Sequence, residues 1–357
     1  MHLRTGYTTG ACAAAATRGA VCLLTGHPVD SVSHVFAPSG AVLAIPVSDY
    51  GKTESGAFAS VIKDAGEERD ITHGARVTVT LEPQDRGGIQ FRAGNGVGVV
   101  MRQGLSVPPG EPAINPGPRE MIRRVLQDAS IHHVIVTIAI ENGAALARHT
   151  YNPRLGVEGG LSVLGTTGIV RPRCIAALKR TIELSLSVAY AESPERVYMV
   201  PGNIGAAAAR KYFQAAWYQI VEVENHWGFA IGAIPRRQGG TIDVVGHPGK
   251  LIKLARGDWY THSKFSAPVA ETLAAVAQEF GLAVPAVPNT TQEVLDALTA
   301  KERWTVCRYW CDEIRDAVKN RLGQEFCRDG RDLSVTLITM TGEIAASNSP
   351  SLSGRCP

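Results

Sequence analysis

The chain has 357 residues, of which 45% are hydrophobic and 19% are charged, a composition typical of a globular protein with enough residues for about two domain cores. The formal net charge of +3 is too small for a nucleic-acid-binding protein, whose basic residues would crowd onto one stripe or tail. No apolar run approaches the roughly 18 residues that a membrane span needs, and residues 1–10 lack the apolar segment of a secretory leader. We therefore expect a cytoplasmic protein.

Seven cysteines are scattered along the chain. An odd number in a long chain argues against a disulfide framework and favours free thiols in a reducing compartment. Cys307, Cys311 and Cys327 lack the paired C-x-x-C spacing of zinc sites and have no histidine near them in sequence. We predict no metal site.

The first part of the chain, residues 1–150, combines one helix with short strands. An Ala-rich helix is predicted over residues 11–24, with Gly26 ending it. Residues 33–36, 42–47 and 75–81 alternate apolar and polar side chains, as strands do. The mixture predicts an α+β N-terminal domain.

A stretch dense in glycine and proline covers residues 90–118 and includes GNGVGVV and SVPPGEPAINPGP. It is too long for a plain connection, so we interpret it as a substrate-binding loop. GNGVGVV lacks the third glycine of a dinucleotide fingerprint and is followed by prolines instead of a helix, which excludes an NAD site there. A kinase-like enzyme built on it is disfavoured, because no G-x-x-x-x-G-K-[ST] pattern occurs.

The second part, residues 151–264, predicts a doubly wound, Rossmann-like parallel sheet. Short apolar runs that are each followed by a helical pattern occupy residues 161–164, 197–200, 220–223 and 242–245. Ligands of such sheets bind outside the carboxyl ends of the strands, where helix N-termini present free amides. All four ends carry small or hydrogen-bonding residues, which favours a nucleoside site.

The third part, residues 265–357, reads as helical up to residue 326. It ends in a predicted strand pair, residues 333–339 and 343–346, around Thr341 and Gly342. The charged helices of this part are interpreted as structural.

Three groups of polar residues are candidates for chemistry, and each has a structural alternative. Thr8 and Thr9 precede the Ala-rich helix and either bind an anion or cap the helix; capping is the favoured interpretation. Asp64, Asp70, Thr72 and His73 share one short loop and either move a proton or form a solvated turn, and the turn is favoured. The third group starts at the fourth strand end and consists of His247, Lys250, Thr261, His262, Ser263 and Lys264. For it, ligand binding and a structural role stay equally open.

Read together, these segments resemble the cobalt-precorrin-5B C1-methyltransferases, the CbiD family, over about residues 3–264. The matching motifs, in chain order, are LRTGYTTGACAAAA, VIKDAGEERDITHGA, GNGVGVV, GLSVPPGEPAINPGPREMI, YNPRLGVEGGLSVLGTTGIVRP, ALKRTIEL, VPGNIG, VGHPGKLIKLA and THSK. Chance does not place so many motifs in this order, whereas the C-terminal part matches only in outline.

The resemblance implies methyl transfer from S-adenosylmethionine to C1 of cobalt-precorrin-5B, giving cobalt-precorrin-6A on the anaerobic route to vitamin B12. The cobalt would belong to the substrate, and no nucleic acid or membrane partner is implied, although a homo-oligomer stays open. Candidate cofactor-binding residues at the strand ends are Thr166, Thr167, Gly202, Asn203, Gly205, Asn225 and Gly246. Candidate substrate-binding residues are Arg4, Thr8, Thr9, Lys63, Arg119, Arg154, Arg171, Lys250, Thr261, His262 and Ser263. A base, if one is needed, would be His247, Asp64 or His73, in that order.

Some positions depart from the family pattern, namely Ala11, Pro248 and the run 224–227, where we expect Trp227 to affect ring packing in the site. Two other functions stay open. One is methylation of a related corrinoid precursor at another position. The other is a non-catalytic tetrapyrrole carrier, which binding of the methyl donor would exclude.

Overall fold

The computed structural model describes residues 4–68, 70–170, 175–235, 240–323 and 332–352. They form a mixed α/β protein that divides into two compact units, Met1–Ile175 and Ala176–Pro357. The three parts expected from the sequence, with boundaries at residues 150 and 264, stay a prediction about which segments fold independently.

The first unit contains one large sheet, two helices of more than ten residues and several short strand pairs. Its strands are β1 (Gly6–Tyr7), β2 (Val32–Phe36), β3 (Val42–Pro46), β4 (Asp49–Lys52), β5 (Ala57–Ile62), β6 (Arg76–Pro83), β7 (Ile89–Ala93), β8 (Val99–Val100), β9 (Val134–Ile140), β10 (Val157–Glu158) and β11 (Ile169–Val170). Its helices are α1 (Thr9–Leu24), α2 (Pro116–Asp128) and α3 (Gly143–Ala147). The large sheet has the order β4-β5-β6-β9-β7, and all neighbours are antiparallel except β7 and β9.

Helix α1 lies at the centre of this unit because its side chains are small. The residues from Ala11 to Ala16 are completely buried, and the helix packs on β5, β6, β2 and α2. Strands β6 and β9 bury alternate residues, as a sheet with one face on a helix must. A Cβ at Gly19 would stand 2.9 Å from the Cβ of Ala59, so the helix approaches β5 more closely than a larger residue allows.

The second unit is built on one mixed sheet. Its strands are β12 (Arg196–Val200), β13 (Ile220–Glu222), β14 (Thr241–Gly246), β15 (Leu333–Ile338) and β16 (Ile344–Ser347). Its helices are α4 (Ile175–Glu192), α5 (Asn203–Phe213), α6 (Trp227–Gly232), α7 (Pro248–Ala255), α8 (Ala270–Glu279), α9 (Thr291–Asp296) and α10 (Ala300–Leu322), with 3₁₀ turns at Trp217–Gln219 and Pro350–Leu352. The strand order is β13-β12-β14-β15-β16, parallel except for β16.

Helices cover both faces of this sheet. Val197 and Met199 of β12 belong to the same core as residues of α7 and α10, whereas Tyr198 and Val200 pack with α5. Adjacent strand residues point to opposite faces, so the near-continuous apolar sequence of β12 follows from burial on both sides.

The structure corrects the sequence prediction in one strand. Residues 161–164 were expected to form the first strand of the parallel sheet, but Leu161 and Val163 make only isolated bridges to Val97 and Ile114 of the first unit. A short apolar run cannot reveal its partner, because burial in any core produces the same pattern. The other three predicted strands are confirmed as β12, β13 and β14, and the C-terminal pair as β15 and β16.

Among the described residues, no helix combines the length and the apolar character that crossing a membrane requires.

Candidate functional site

The loop between β5 and β6, residues 63–75, is organised by a buried ion pair. Lys63 is 1% exposed, and its Nζ lies 2.6 Å from Oδ2 of Asp70. Oδ1 of Asp70 accepts hydrogen bonds from the backbone N–H and the hydroxyl of Thr72, at 2.8 and 2.5 Å. Burial raises the pKa of Asp70, but the hydrogen bonds from Lys63 and Thr72 outweigh it, and the net pKa is lowered. Lys63 is therefore paired inside its own loop.

Asp64 and His73 lie on the exposed side of the same loop. Arg4 contacts both carboxylate oxygens of Asp64, with Nη2 donating over 3.0 Å, and this bond is the largest cause of a lowered pKa at Asp64. Nδ1 of His73 accepts the backbone N–H of Ala65 at 3.1 Å and lies 3.9 Å from Asp64. The structure thus brings Arg4, Asp64 and His73 together. An ionised carboxylate of low pKa is a weak base, which makes a salt-bridge role the better fit for Asp64.

Thr8 and Thr9 act as structural residues at the start of α1. The Thr8 hydroxyl accepts the backbone N–H of Ala11 at 3.2 Å, which confirms the capping interpretation. The Thr9 hydroxyl donates to the carbonyl of Leu164 at 3.2 Å and accepts its N–H at 2.9 Å. These bonds join α1 to the segment before Gly165.

The glycine- and proline-rich stretch packs against its own unit. A Cβ at Gly96 would lie 2.0 Å from the carbonyl oxygen of Ile140, and a Cβ at Gly143 or Gly160 would lie 2.2 or 2.3 Å from that of Gly96. Strand β8 pairs with β10, and Val100, Val107, Ala113 and Val157 form a small separate core. These glycines allow backbone segments to touch. Close packing therefore explains their spacing without a phosphate-binding role.

The remaining first-unit candidates are dispersed. Arg119 donates to the carbonyl of Ile114 and to Glu111, at 2.8 and 3.0 Å, and Arg154 lies over the ring of Tyr151. Thr166 and Thr167 are exposed in the first unit, whereas the other predicted cofactor residues belong to the second unit. Arg171 lies outside the described residues.

In the second unit, the direction of the chain changes at the carboxyl edge of the sheet. β12 and β14 are neighbours, but the helices that follow them, α5 and α7, pack on opposite faces. In open α/β sheets, ligands commonly bind where the connections leave in opposite directions. Gly202 and Asn203 follow the end of β12, and Gly246 ends β14.

At two of the three glycine positions at this edge, neighbouring atoms are too close for a Cβ, and at the third they are not. A Cβ at Gly246 would lie 2.8 Å from the ring of Pro201, and one at Gly205 would lie 2.6 Å from the carbonyl oxygen of Val245. Nothing stands within 4 Å of the Cβ position at Gly202. Gly202 therefore leaves open space at the N-terminus of α5.

His247 caps helix α7 and is fixed in one neutral form. Its Nδ1 accepts the backbone N–H of Gly249 at 3.1 Å, so its Nε2 carries the proton and donates to Oε1 of Gln292 at 3.2 Å. Burial lowers the pKa of His247. Both ring nitrogens are engaged, so accepting a further proton would break the cap.

Lys250 and Thr261 both contact Asn225, which follows β13. Nζ of Lys250 donates to Oδ1 of Asn225 at 2.5 Å, and the same oxygen accepts the Thr261 hydroxyl at 3.3 Å. Burial lowers the pKa of Lys250, while the charge of Glu224 opposes the shift. The structure thus places Asn225, Lys250 and Thr261 in direct contact, and Ser263 is exposed close by in sequence.

The sequence prediction placed one aromatic residue, Trp227, wrongly and missed three residues that are not aromatic. Trp227 was expected in the site, but it is completely buried in the core of the second unit, because α6 turns that face inward. Gln292, whose Oε1 also accepts the N–H of Met340 at 3.0 Å, links His247 to the turn after β15. Met340 and Ile204 are apolar yet 52% and 39% exposed at the same edge. Exposure cannot be read from the sequence, so no local signal could have revealed them.

In the described part of the chain, no group of three or more His, Cys, Asp or Glu residues is arranged to hold a metal ion. Cys307 and Cys311 are buried in α10, where burial raises the pKa of the Cys307 thiol to about 12. Cys327 lies outside the described residues.

Comparison with known proteins first defines the class. A relative from Syntrophotalea carbinolica is 40% identical over 346 residues, which is 97% of each chain, and one from Methanocaldococcus jannaschii is 39% identical over 352 residues, 96% of this chain and 95% of the relative. Both are named cobalt-precorrin-5B C(1)-methyltransferase. Both relatives are therefore methyltransferases by name.

The family follows from the same comparisons. The CbiD family model matches residues 1–172, and with the near-complete coverage of the relatives this shows that the chain belongs to the CbiD family. A solved structure described as cobalamin biosynthesis protein (cbiD) from Archaeoglobus fulgidus is 21% identical and covers 93% of this chain and 86% of its own, with a TM-score of 0.40.

Proposed function

We propose that this protein methylates C1 of cobalt-precorrin-5B to give cobalt-precorrin-6A in anaerobic cobalamin biosynthesis, with S-adenosylmethionine as the methyl donor. The observation that carries the proposal is 40% identity over 97% of both chains to a relative with that name. Cobalt enters the reaction as part of the substrate. The free cysteines of the described chain, Cys12, Cys22, Cys307 and Cys311, are compatible with a cytoplasmic compartment.

We propose that the donor binds at the carboxyl edge of the second-unit sheet, between β12 and β14, in the manner of a doubly wound, Rossmann-like sheet. The residues present fit the adenosine part of the donor, which needs space and apolar contacts. Gly202 leaves room for a ligand at the N-terminus of α5, and Ile204 and Met340 offer apolar contacts. Asn203, Gly205, Asn225 and Gly246 border the same edge. Thr166 and Thr167, on the first unit, stay predictions for cofactor binding.

When bound, S-adenosylmethionine supplies a methyl group activated by its sulfonium centre. The contribution of the protein is to hold the accepting carbon about 3 to 3.5 Å from that methyl group, in line, and to exclude water. Neutral His247, held by Gln292 and by its own cap, is suited to positioning α7 and the turn after β15. If a base is needed, His247, Asp64 and His73 stay the candidates predicted from the sequence. To accept a proton, His247 would have to release its cap and Asp64 would have to leave its pairing with Arg4.

The substrate carries carboxylate arms, which need cationic partners. Arg4, Lys63 and Arg119 already contact carboxylates of the protein. Lys250 differs, because its hydrogen-bond partner Asn225 is neutral. We propose Lys250, with His262 and Ser263 nearby in sequence, as a principal substrate contact; Arg4, Thr8, Thr9, Lys63, Arg119, Arg154, Arg171 and Thr261 stay weaker proposals.

Two experiments test the function. Purified protein is first titrated calorimetrically with S-adenosylhomocysteine, for which we expect micromolar affinity, about 8 kcal/mol. Cobalt-precorrin-5B and S-adenosylmethionine are then supplied under anaerobic conditions, and the position of the new methyl group is determined by NMR with a ¹³C-labelled donor. A label at C1 supports the proposal. A label at another carbon favours the related-precursor alternative, and tetrapyrrole binding without methyl transfer favours the carrier.

A further inference from the structure

Four aromatic rings form a cluster on the surface of the second unit, and we name it the aromatic platform: His226, Tyr260, His262 and Phe265. The ring of Tyr260 lies 5.0 Å from that of His226 and 5.5 Å from that of Phe265, centroid to centroid. Tyr260 and His262 are nearly parallel, with 12° between their planes and 6.1 Å between their centroids. The rings of His226 and Phe265 are tilted by 50° and 48° to that of Tyr260. The cluster therefore presents two nearly parallel rings flanked by two tilted ones, from two separate loops.

The platform is exposed although it is apolar in part. Phe265 is 69% exposed and Tyr260 is 36% exposed. Exposed rings that cluster, unlike single surface aromatics, are a feature of binding sites because their burial by a ligand is favourable.

The loops that carry the rings are fixed from beneath. Thr261 is completely buried, and its N–H donates to the carbonyl of Asn225 at 3.1 Å, which joins the two loops. Nζ of the buried Lys253 donates to the carbonyls of Thr261 and Ser266, at 3.2 and 2.9 Å. A surface that is rigid before binding loses little entropy when a ligand arrives.

Positive charge predominates around the rings. Nζ of Lys264 lies 5.8 Å from the Phe265 ring centroid, and Lys250 reaches Asn225, the residue before His226. Nζ of a third lysine, Lys179, lies 5.0 Å from the ring centroid of Phe229, three residues after His226. Two carboxylates lie near these lysines. Asp258 is already neutralised, because it pairs with Arg256 at 3.1 Å and accepts the Ser266 hydroxyl. The negative charge of Glu224 favours the charged forms of Lys250 and His226.

We propose that the aromatic platform binds the flat face of the tetrapyrrole substrate, while Lys179, Lys250 and Lys264 receive its carboxylate arms. The nearly parallel rings of Tyr260 and His262 can stack on a planar, apolar macrocycle, and the tilted rings of His226 and Phe265 can meet it with their edges. Cations at the margin complement its anionic rim. The inference rests on the proposed function and adds to it the surface on which the substrate lies.

The location supports a reaction between the two ligands. The platform begins at His226, directly after the strand end that carries Asn225, and β13 is the neighbour of β12. The proposed donor site lies on the other side of β12. Donor and macrocycle would then occupy neighbouring positions on one edge of the same sheet.

The test uses the full chain and two ligands. Uroporphyrin, a flat tetrapyrrole with carboxylate arms around its rim, is titrated by its fluorescence, and S-adenosylhomocysteine is titrated by calorimetry. The double variant Tyr260→Ser/Phe265→Ser is expected to bind uroporphyrin about tenfold more weakly, with unchanged affinity for S-adenosylhomocysteine. Phe280→Ser is the matched control, because Phe280 is also exposed, at 47%, and pairs with Tyr309 away from the platform.

The outcomes separate this inference from the function on which it rests. A selective loss of uroporphyrin affinity in the double variant, with Phe280→Ser unchanged, supports the platform. Equal uroporphyrin affinity in the double variant and the unaltered protein overturns the platform and leaves the function standing. Binding of neither ligand by the unaltered protein overturns both. Lys264→Gln, with Lys301→Gln as its control, provides a second variant that removes charge without removing a ring.

Discussion

The polar motifs of the first unit and the strand-end edge of the second unit differ in how their groups are satisfied. In the first unit, Lys63 pairs with Asp70 and Arg119 with Glu111, and the glycines around Gly96 allow backbone contacts. In the second unit, Lys250 donates to a neutral amide and apolar side chains stay exposed. A segment rich in motifs can therefore indicate close packing as well as ligand binding.

The largest expected effect tests whether the GNGVGVV motif is structural. Gly96 and Gly110 both have positive φ, 78° and 87°, but a Cβ at Gly96 meets the Ile140 carbonyl whereas one at Gly110 meets nothing within 4 Å. Gly96→Ala should therefore lower the free energy of unfolding by about 3 kcal/mol or more, and Gly110→Ala by about 1 kcal/mol. Chemical denaturation measures both. Equal losses would contradict the packing explanation.

The second prediction concerns the buried pair of the first unit. Asp70→Asn leaves the Lys63 ammonium buried without its counter-charge and should cost about 3 kcal/mol of stability. Because the pKa of Asp70 is lowered in the folded state, its contribution is complete above the ordinary Asp pKa of about 3.9 and is lost as the pH falls through the lowered value. Denaturation across acidic pH should show this decline in the unaltered protein and less of it in Asp70→Asn.

The control for that experiment is Arg4→Gln, which removes the exposed partner of Asp64. Exposed pairs contribute little, so the melting temperature should change less than in Asp70→Asn. A larger drop in melting temperature for Arg4→Gln than for Asp70→Asn would mean that the exposed Arg4–Asp64 pair stabilises the fold more than the buried Lys63–Asp70 pair does.

A third prediction tests the open space in the second unit. Gly202→Ala adds a methyl group where no protein atom stands within 4 Å. It should reduce S-adenosylhomocysteine affinity about tenfold, or 1.4 kcal/mol, with a smaller change in stability. Gly232→Ala, also with nothing within 4 Å, is the control and should leave affinity unchanged. An unaffected affinity in Gly202→Ala would move the donor site away from α5.

The smallest expected effects separate positioning from binding at the same edge. His247→Asn keeps a cap for α7 but removes the bond to Gln292, and it should lower kcat several-fold with little change in donor affinity. Asn203→Ala should do the reverse. The lowered pKa of His247 keeps the ring neutral at pH 7, so kcat should show no ionisation of this group between pH 7 and 8. Equal effects of both variants on kcat and affinity would contradict the two roles.

Much of the second unit could be predicted because its strands are buried on both faces and therefore stand out as apolar runs. The segment ending at Leu164 looks the same in sequence, yet it belongs to the first unit, since its partners Val97 and Ile114 lie about fifty residues or more away along the chain. Periodicity identifies burial but not the burying partner.

The candidate site was predictable in part for a similar reason. Gly202, Asn225 and His247 follow predicted strands, and their position alone placed them at one edge. Gln292 and Met340 reach that edge only because β15 inserts beside β14. Pairing between strands so distant along the chain leaves no local pattern.

The place of β15 in the sheet also constrains the order in which the protein folds. β15 lies between β14 and β16, and its pairing with β14 joins Asp243 to Ser334, 91 positions apart. The five-stranded sheet of the first unit is complete once β9 has been made at Ile140. During synthesis the first unit can thus begin to fold early, while β14 must wait with an unpaired, apolar edge until the last strands emerge. The second unit is where translation speed and chaperone protection should matter most.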